Sequence, residues 1–423
     1  MISRDRRLRI ALLTYRGHPH VGGQGVYVYY LSRSLSELGH RVEVFSGPPY
    51  PELAPEVGFT AVPSLDLYRP EDPFRRPARR EFRSPVDVLE YGLMCSAAFP
   101  EPLTFSLRAG AELRRRRDAF DIVHDNQCLG YGLLALRACL PLIATIHHPI
   151  TIDRRHELQR APTPKRATAL KRWYSFTRMQ GRVARRCSRI VTVSEAARRD
   201  VIDEFDVHGE RVKVVHNGVD TELFRPVEEV RRVPGRVITL ASSAVPMKGL
   251  AVLVEAVAKL ATERDVELMV VGKGGGDQAR ALAQRFGVEG HVAPAGRVDT
   301  LRLVELFAGS EIAVVPSLYE GFSLPAIEAM ACGVPLIATT GGALPEVAGP
   351  DGDAALLVEP GDAGALARAI GRLLDDPSLA ARLGAAGRRR ALDRFSWRTT
   401  AQATVEHYRA VLGAATSPRS PSC

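Results

Sequence analysis

Short apolar runs alternate with amphipathic stretches from one end of this chain to the other, and few folds satisfy that pattern. In the first half, LRIALLT (8–14), RVEVFS (41–46), DIVH (121–124), LIATIH (142–147) and RIVTVS (189–194) read as buried strands. Between the first two, Val28, Leu31, Leu35 and Leu38 fall at helical spacing, and Gly39 ends the run. The second half repeats the scheme, with strands expected at 237–241, 267–271, 312–316, 335–339 and 355–358. Helices are expected between them at 250–260, 278–286, 300–308 and 323–330. Strand–helix alternation of this kind predicts an α/β chain of doubly wound, mainly parallel sheets. The 423 residues are enough for two such Rossmann-like domains. We expect an N-terminal domain over 1–222 and a C-terminal domain over 223–395, joined near FRPVEEVRRVPG (224–235), with a helix at 396–414 returning to the first. Ligands of open parallel sheets lie beyond the carboxyl ends of the strands, so an interdomain cleft is the expected site.

Composition narrows the function classes. The longest apolar stretch, Gly132–His147, is broken by Arg137 and Pro141, too short for a span of about 18 apolar residues. The apolar run before Thr14 reads as a first strand rather than a secretory segment. The six cysteines (95, 128, 139, 187, 332, 423) show no C-x-x-C and no metal spacing, which suits reduced thiols of a cytoplasmic protein. Charge is unevenly spread. Between Arg154 and Arg189 stand twelve Lys/Arg and one acid, Glu157, so this segment carries +11 against a chain total of +9. Such a face meets phosphate-bearing partners or is simply solvated. An anionic membrane surface is the favoured partner; nucleic acid is not expected, because aromatics interleave only at Trp173, Tyr174 and Phe176.

The most informative stretch is PSLYEGFSLPAIEAMACGVP (316–335). A strand ends at Pro316, a glycine-containing loop follows, and a helix begins near Ser323, which aims free backbone N–H groups and a positive helix end at whatever lies above the sheet. Glu320 in the loop and Glu328 in the helix supply carboxylates suited to accept hydrogen bonds from sugar hydroxyls. An anion site beside two hydroxyl-binding carboxylates describes a nucleotide sugar.

Glu320-x7-Glu328 within YEGFSLPAIEAMACGVPLIAT resembles the signature of the family-4 retaining glycosyltransferases of the GT-B fold, in which two Rossmann-like domains face each other across a cleft. The resemblance extends over nearly the whole chain: Gly22-Gly23, GHRVEVFS (39–46), DIVHDN (121–126), ATIHH (144–148), IVTVSE (190–195), VVHNGVD (214–220), LMVVGKG (268–274), GGALPEV (341–347) and FSWRTTAQATVEHY (395–408). It implies a hexosyl transfer from a nucleotide diphosphate sugar to an acceptor hydroxyl, with retention and without cofactor or metal. UDP-glucose and GDP-mannose are both open as donors, and the acceptor is a glycolipid, a glycan or a small molecule. By position, Glu328 is expected on the ribose, Glu320 on the transferred sugar, and the amides of Gly321, Phe322, Ser323 and Leu324 on the diphosphate or sugar. Lys248 in VPMKG would neutralise the departing diphosphate. His147 would face the donor sugar, and Gly22-Gly23 would allow close backbone approach. One position departs from the family: five residues before Lys248, where an arginine is usual, stands Ser243. Lys273 and Arg297 are the expected substitutes for that charge.

Alternatives are a non-catalytic GT-B nucleotide- or sugar-binding homologue, or a sugar phosphorylase or synthase of that fold. Neighbouring residues on a strand face opposite sides, so His147-His148 is a poor metal pair. His18-Pro-His20 lacks a third ligand, and Asp351-Gly-Asp353 reads as a turn. GKGGG (272–276) lacks the third glycine of a dinucleotide fingerprint. His124 is expected to be structural.

Overall fold

The computed structural model describes residues 6–17, 23–69, 71–137, 139–241, 246–272 and 274–416. The chain forms two compact units: residues 1–193, 197–215 and 400–423, and residues 194–196 and 216–399.

The first unit is built on β1 (Arg9–Thr14), β2 (Arg41–Ser46), β3 (Gly58–Ala61), β4 (Ile122–Asn126), β5 (Leu142–Ile146), β6 (Ile190–Thr192) and β7 (Val212–Val214). They pair in the order β3-β2-β1-β4-β5-β6-β7, and every pairing is parallel. All residues of β4 and β5 are buried, as expected of central strands covered on both faces. Chain order reverses between β1 and β4, which makes their carboxyl ends the topological switch point. Phe45, Phe105, Leu113, Val123, Leu142 and Phe205 belong to the apolar core beneath.

A polar chain fastens the last helix, Trp397–Thr416, to this unit through its residue Tyr408. His124 shares hydrogen bonds with the Tyr408 hydroxyl (2.6 Å) and Thr145 Oγ1 (2.7 Å), and Tyr27 closes the chain on Thr145 (3.0 Å). Burial, reinforced by His147, holds the His124 imidazole down at about 3, so it is neutral and structural.

The second unit is built on β8 (Arg236–Leu240), β9 (Glu267–Val271), β10 (Val292–Gly296), β11 (Ile312–Val315), β12 (Leu336–Thr339) and β13 (Ala355–Val358). Their order is β10-β9-β8-β11-β12-β13, again wholly parallel, with the switch point between β8 and β11. Helices Leu250–Leu260 and Ala363–Asp375 bury Leu253, Val257, Leu366 and Ile370 in one core with Leu268 and Val314.

The ten strands expected from the sequence are all present, with ends shifted by up to two residues. Three others, β3, β7 and β10, are not among the strands read from apolar runs. Each lies at a sheet edge and is partly exposed, so its sequence (GFTA, VKV, VAPAG) carries no continuous apolar run. The Pro-rich stretch 50–105 contains β3, the helix Pro85–Cys95 and the start of the helix Glu101–Arg115.

Candidate active site

At the switch point of the second unit the chain leaves β8, and after residues 242–245 makes a short 3-10 turn at Pro246–Lys248. Gly249 follows at φ +68°, and a Cβ there would lie 1.9 Å from the Pro316 carbonyl oxygen, so only glycine lets this turn pass under the loop after β11. The Leu318 N–H donates to the Met247 carbonyl at 2.7 Å and joins the two loops. Their side chains meet as a result: Lys248 Nζ lies 2.8 Å from Glu320 Oε1. Ser317 Oγ donates to the same oxygen at 2.7 Å. Glu320 is buried, while a third of the Lys248 side chain stays exposed, leaving ammonium hydrogens available to a ligand. Glu320 is further fixed from β12. A Cβ on Gly342 would lie 2.3 Å from the Glu320 carbonyl oxygen, and the Ala343 N–H donates to that oxygen at 2.9 Å.

Gly321 and Phe322 lead into the helix Leu324–Ala331. Phe322 is buried, stacked on His216 at 6.0 Å and edge-on to Phe395 at 5.7 Å. Ser323 adopts φ +87°, uncommon for a residue with a side chain, and its buried hydroxyl has no hydrogen-bond partner among the described residues. Strain and an unpaired hydroxyl at a helix start are features that a bound ligand can account for. Pro325 lacks an N–H, so the Leu324 and Ala326 amides are the donors left at this helix end. One turn on, Glu328 is half-buried and desolvation pushes its carboxyl up to about 7. No hydrogen-bond partner for it occurs among the described residues, so this carboxyl stands unpaired in a partly dehydrated place.

The other expected donor-site residues divide. Ser243 and Lys273 lie outside the described residues, as does Gly22. Gly272 and Gly274, on either side of Lys273, both take positive φ (+134° and +82°) at the carboxyl end of β9. Arg297 is exposed just after β10, at the far edge of the sheet from β11. Gly23 is exposed at the start of the helix Gly23–Glu37. Asp351-Gly352-Asp353 is a turn, with Gly352 at φ +81° and Asp351 Oδ1 accepting the Leu357 N–H at 2.7 Å. Among the described residues, no three His, Cys, Asp or Glu side chains gather as a metal site.

In the first unit His147 follows β5. Its Nε2 lies 2.7 Å from Asn126 Oδ1, and its backbone N–H donates to Gln127 Oε1 at 2.7 Å. An amide oxygen only accepts, so Nε2 carries the hydrogen and Nδ1 is left as an acceptor. The ring packs edge-on against Tyr27 at 4.6 Å, and burial holds the imidazole at about 4, neutral across the physiological range. Asn126 and Gln127, which set this orientation, were not singled out from the sequence. The basic segment 154–189 runs through the helices Ile150–Gln159, Pro164–Trp173 and Phe176–Ala184, and most of its cations are exposed. No described helix is long and apolar enough to cross a membrane.

Two doubly wound parallel sheets, with a lysine–carboxylate pair and a strained helix start at one switch point, define the architecture of a GT-B glycosyltransferase. Residues 226–390 match the family model of glycosyl transferases group 1, and residues 21–223 match that of Glycosyltransferase Family 4. The MMP alpha-(1->4)-mannosyltransferase of Mycolicibacterium hassiacum is 52% identical over 405 residues, covering 95% of this chain and 98% of that protein. A D-inositol 3-phosphate glycosyltransferase of Streptomyces scabiei is 29% identical over 442 residues, covering 96% and 91%. Sucrose-phosphate synthase from Thermosynechococcus elongatus superposes with a TM-score of 0.73 at 24% identity, over 96% of this chain and all of that one. Anabaena HepE, solved with UDP and glucose, superposes with a TM-score of 0.70 at 19% identity over the same share of each. The chain belongs to glycosyltransferase family 4, and it is a glycosyltransferase.

Proposed function

We propose that the chain transfers a mannosyl group from GDP-mannose, with retention and without a metal ion, to a 4-hydroxyl of a mannose-containing glycan. Of the two donors that the sequence leaves open, GDP-mannose is favoured because the relative at 52% identity is a mannosyltransferase forming α-(1→4) linkages. The second unit takes the donor and the first the acceptor.

The observation that carries this reading is the Lys248–Glu320 pair at the β8/β11 switch point. In the free protein the ammonium rests on the carboxylate. A diphosphate bound at the Ser323–Leu324 helix start offers it a second anionic partner, and Lys248 then neutralises the charge that grows on the leaving phosphate. Glu320, held by Ser317 and the Gly342 loop, keeps Oε2 for a hydroxyl of the sugar. Glu328 as a carboxylate accepts the ribose hydroxyls. As the glycosidic bond lengthens, positive charge develops on the sugar ring and negative charge on the diphosphate, and the acceptor hydroxyl enters on the face the diphosphate leaves, giving its proton to the departing phosphate oxygen. His147, neutral and with Nδ1 bare, is assigned to a sugar hydroxyl.

Thermal shift against GDP, UDP, ADP and TDP, followed by their sugars, tests the donor. At a hundred times its dissociation constant the right nucleotide adds about 2.7 kcal/mol. Preference for GDP, lost in Glu328→Ala, and an α-anomeric product by proton NMR are expected. A shift with UDP alone would refute the choice of donor, and a β product would refute retention.

A further inference from the structure

Outside the residues assigned above, the first unit holds an aromatic cluster that the chemistry so far does not use. Tyr68, Phe74, Phe99 and Trp173 lie ring to ring, with Tyr68 at 5.4 Å from Phe74, 5.3 Å from Phe99 and 5.5 Å from Trp173. Phe99 and Trp173 are 5.0 Å apart and Phe74 and Trp173 6.3 Å. This is no ordinary core: Phe74 is 60% exposed and the other three rings are only half-buried. Phe74 also sits at φ +64°, uncommon for a bulky residue, and is held there by its N–H bond to the Leu67 carbonyl at 2.7 Å. The adjacent Arg75 ties the loop down, donating to the Leu65 carbonyl at 2.6 Å and pairing with Glu81 at 2.7 Å.

The cluster's place is fixed by Arg16, just beyond the carboxyl end of β1. Its guanidinium lies 5.4 Å from the Phe99 ring centroid and 5.8 Å from that of Tyr68, and it pairs with the buried Glu101. Because the sheet is parallel, this is the same edge that carries Asn126 at the end of β4 and His147 after β5. The rings therefore stand at the ligand-binding edge of the sheet, on the unit assigned to the acceptor.

We propose that Tyr68, Phe74, Phe99 and Trp173 form an acceptor subsite that stacks on pyranose rings of a neutral oligosaccharide, beyond the ring that receives the new sugar. The C–H face of a pyranose carries partial positive charge that suits the negative face of an aromatic ring. The cluster is partly open and is ion-paired beneath through Arg16 and Glu101, so it offers ring faces to a ligand. A bilayer would need several freely standing apolar side chains, and in this cluster only Phe74 exceeds half exposure. The inference rests on the acceptor being a glycan, and it adds that the enzyme measures more than one sugar unit.

The chain has two tryptophans, Trp173 and the buried Trp397, so Trp397→Phe leaves Trp173 as the single reporter. Titration with α-(1→4)-linked mannooligosaccharides, without donor, is expected to change Trp173 emission saturably. Phe74→Ala, at an exposed position, should weaken that binding about tenfold. It should raise KM for the oligosaccharide by more than it raises KM for methyl mannoside. Trp173→Phe, which keeps a ring, should retain most of the affinity. No saturable response to any oligosaccharide would overturn the subsite, as would an emission shift with phosphatidylglycerol vesicles but not with glycan. A response to α-(1→4)-linked glucooligosaccharides alone would uphold the subsite and refute the mannosyl acceptor. No donor is present, so failure of the donor assignment reads out separately.

Discussion

Glu328→Gln should make the free protein more stable above neutral pH and at the same time destroy donor binding. The Glu328 carboxyl lies at about 7 in the folded chain against an ordinary 4.5, and burial is the cause. Between those two values the folded state binds a proton that the unfolded state has released, so stability is full near pH 4.5 and falls as pH rises toward 7. Each pH unit in that window costs about 1.4 kcal/mol, so the carboxylate form is borne at about 3 kcal/mol above pH 7. Glutamine has nearly the same shape and never ionises. The variant should match wild type near pH 4.5 and exceed it by about 3 kcal/mol at pH 8, or about 6–12 °C in Tm for a unit of this size. Nucleotide binding should move the other way: wild type gains affinity for GDP from pH 6 to pH 8 as the carboxylate forms, and the glutamine variant shows no such rise. Thermal unfolding of both proteins at pH 5, 6, 7 and 8, with and without GDP, separates these effects. Parallel Tm curves across that range would refute the claim that Glu328 is held dehydrated for its ligand.

Lys248→Ala is expected to lower kcat by about 10²–10³-fold if the ammonium acts on the leaving diphosphate, with Lys248→Arg recovering part of the loss; steady-state kinetics with saturating donor checks this. Gly249→Ala brings a Cβ to 1.9 Å from the Pro316 oxygen at a left-handed φ, and should destabilise the second unit by more than about 1–2 kcal/mol, measured by urea unfolding. Tyr408→Phe strips His124 of its Nδ1 partner and should cost about 1–3 kcal/mol of first-unit stability without changing kcat, whereas a kcat loss at full stability would contradict a structural His124. Saturating EDTA should leave turnover unchanged, and loss restored by a divalent ion would refute metal independence.

What the sequence made legible follows from where physics writes a local signature. Central strands such as Leu142–Ile146 are covered on both faces and leave unbroken apolar runs, whereas the edge strands Gly58–Ala61 and Val292–Gly296 face solvent and leave none. The same division runs through the site. Glu320 and Glu328 stand out because two carboxylates follow a strand and open a helix within nine residues, and a resemblance adds roles to them. Ser317, Gly249 and Gly342 hold Glu320 in place, yet each acts through a contact to a distant loop that no spacing encodes. Asn126 and Gln127 are a similar case: they set the tautomer and orientation of His147 from the end of another strand. The candidate side chains were thus readable from local pattern, and their supports only from the fold. The aromatic cluster lies at the far end of that scale. Tyr68, Phe74, Phe99 and Trp173 are scattered over about a hundred residues, and the Phe74 N–H bond to the Leu67 carbonyl, the Phe99 N–H bond to the Trp173 carbonyl and the Arg16–Glu101 pair bring them together. If family members keep the Lys248–Glu320 geometry for a shared donor chemistry, acceptor choice is then carried by such assembled surfaces, and swapping the 62–99 excursion between relatives should exchange acceptor length preference while leaving nucleotide binding untouched.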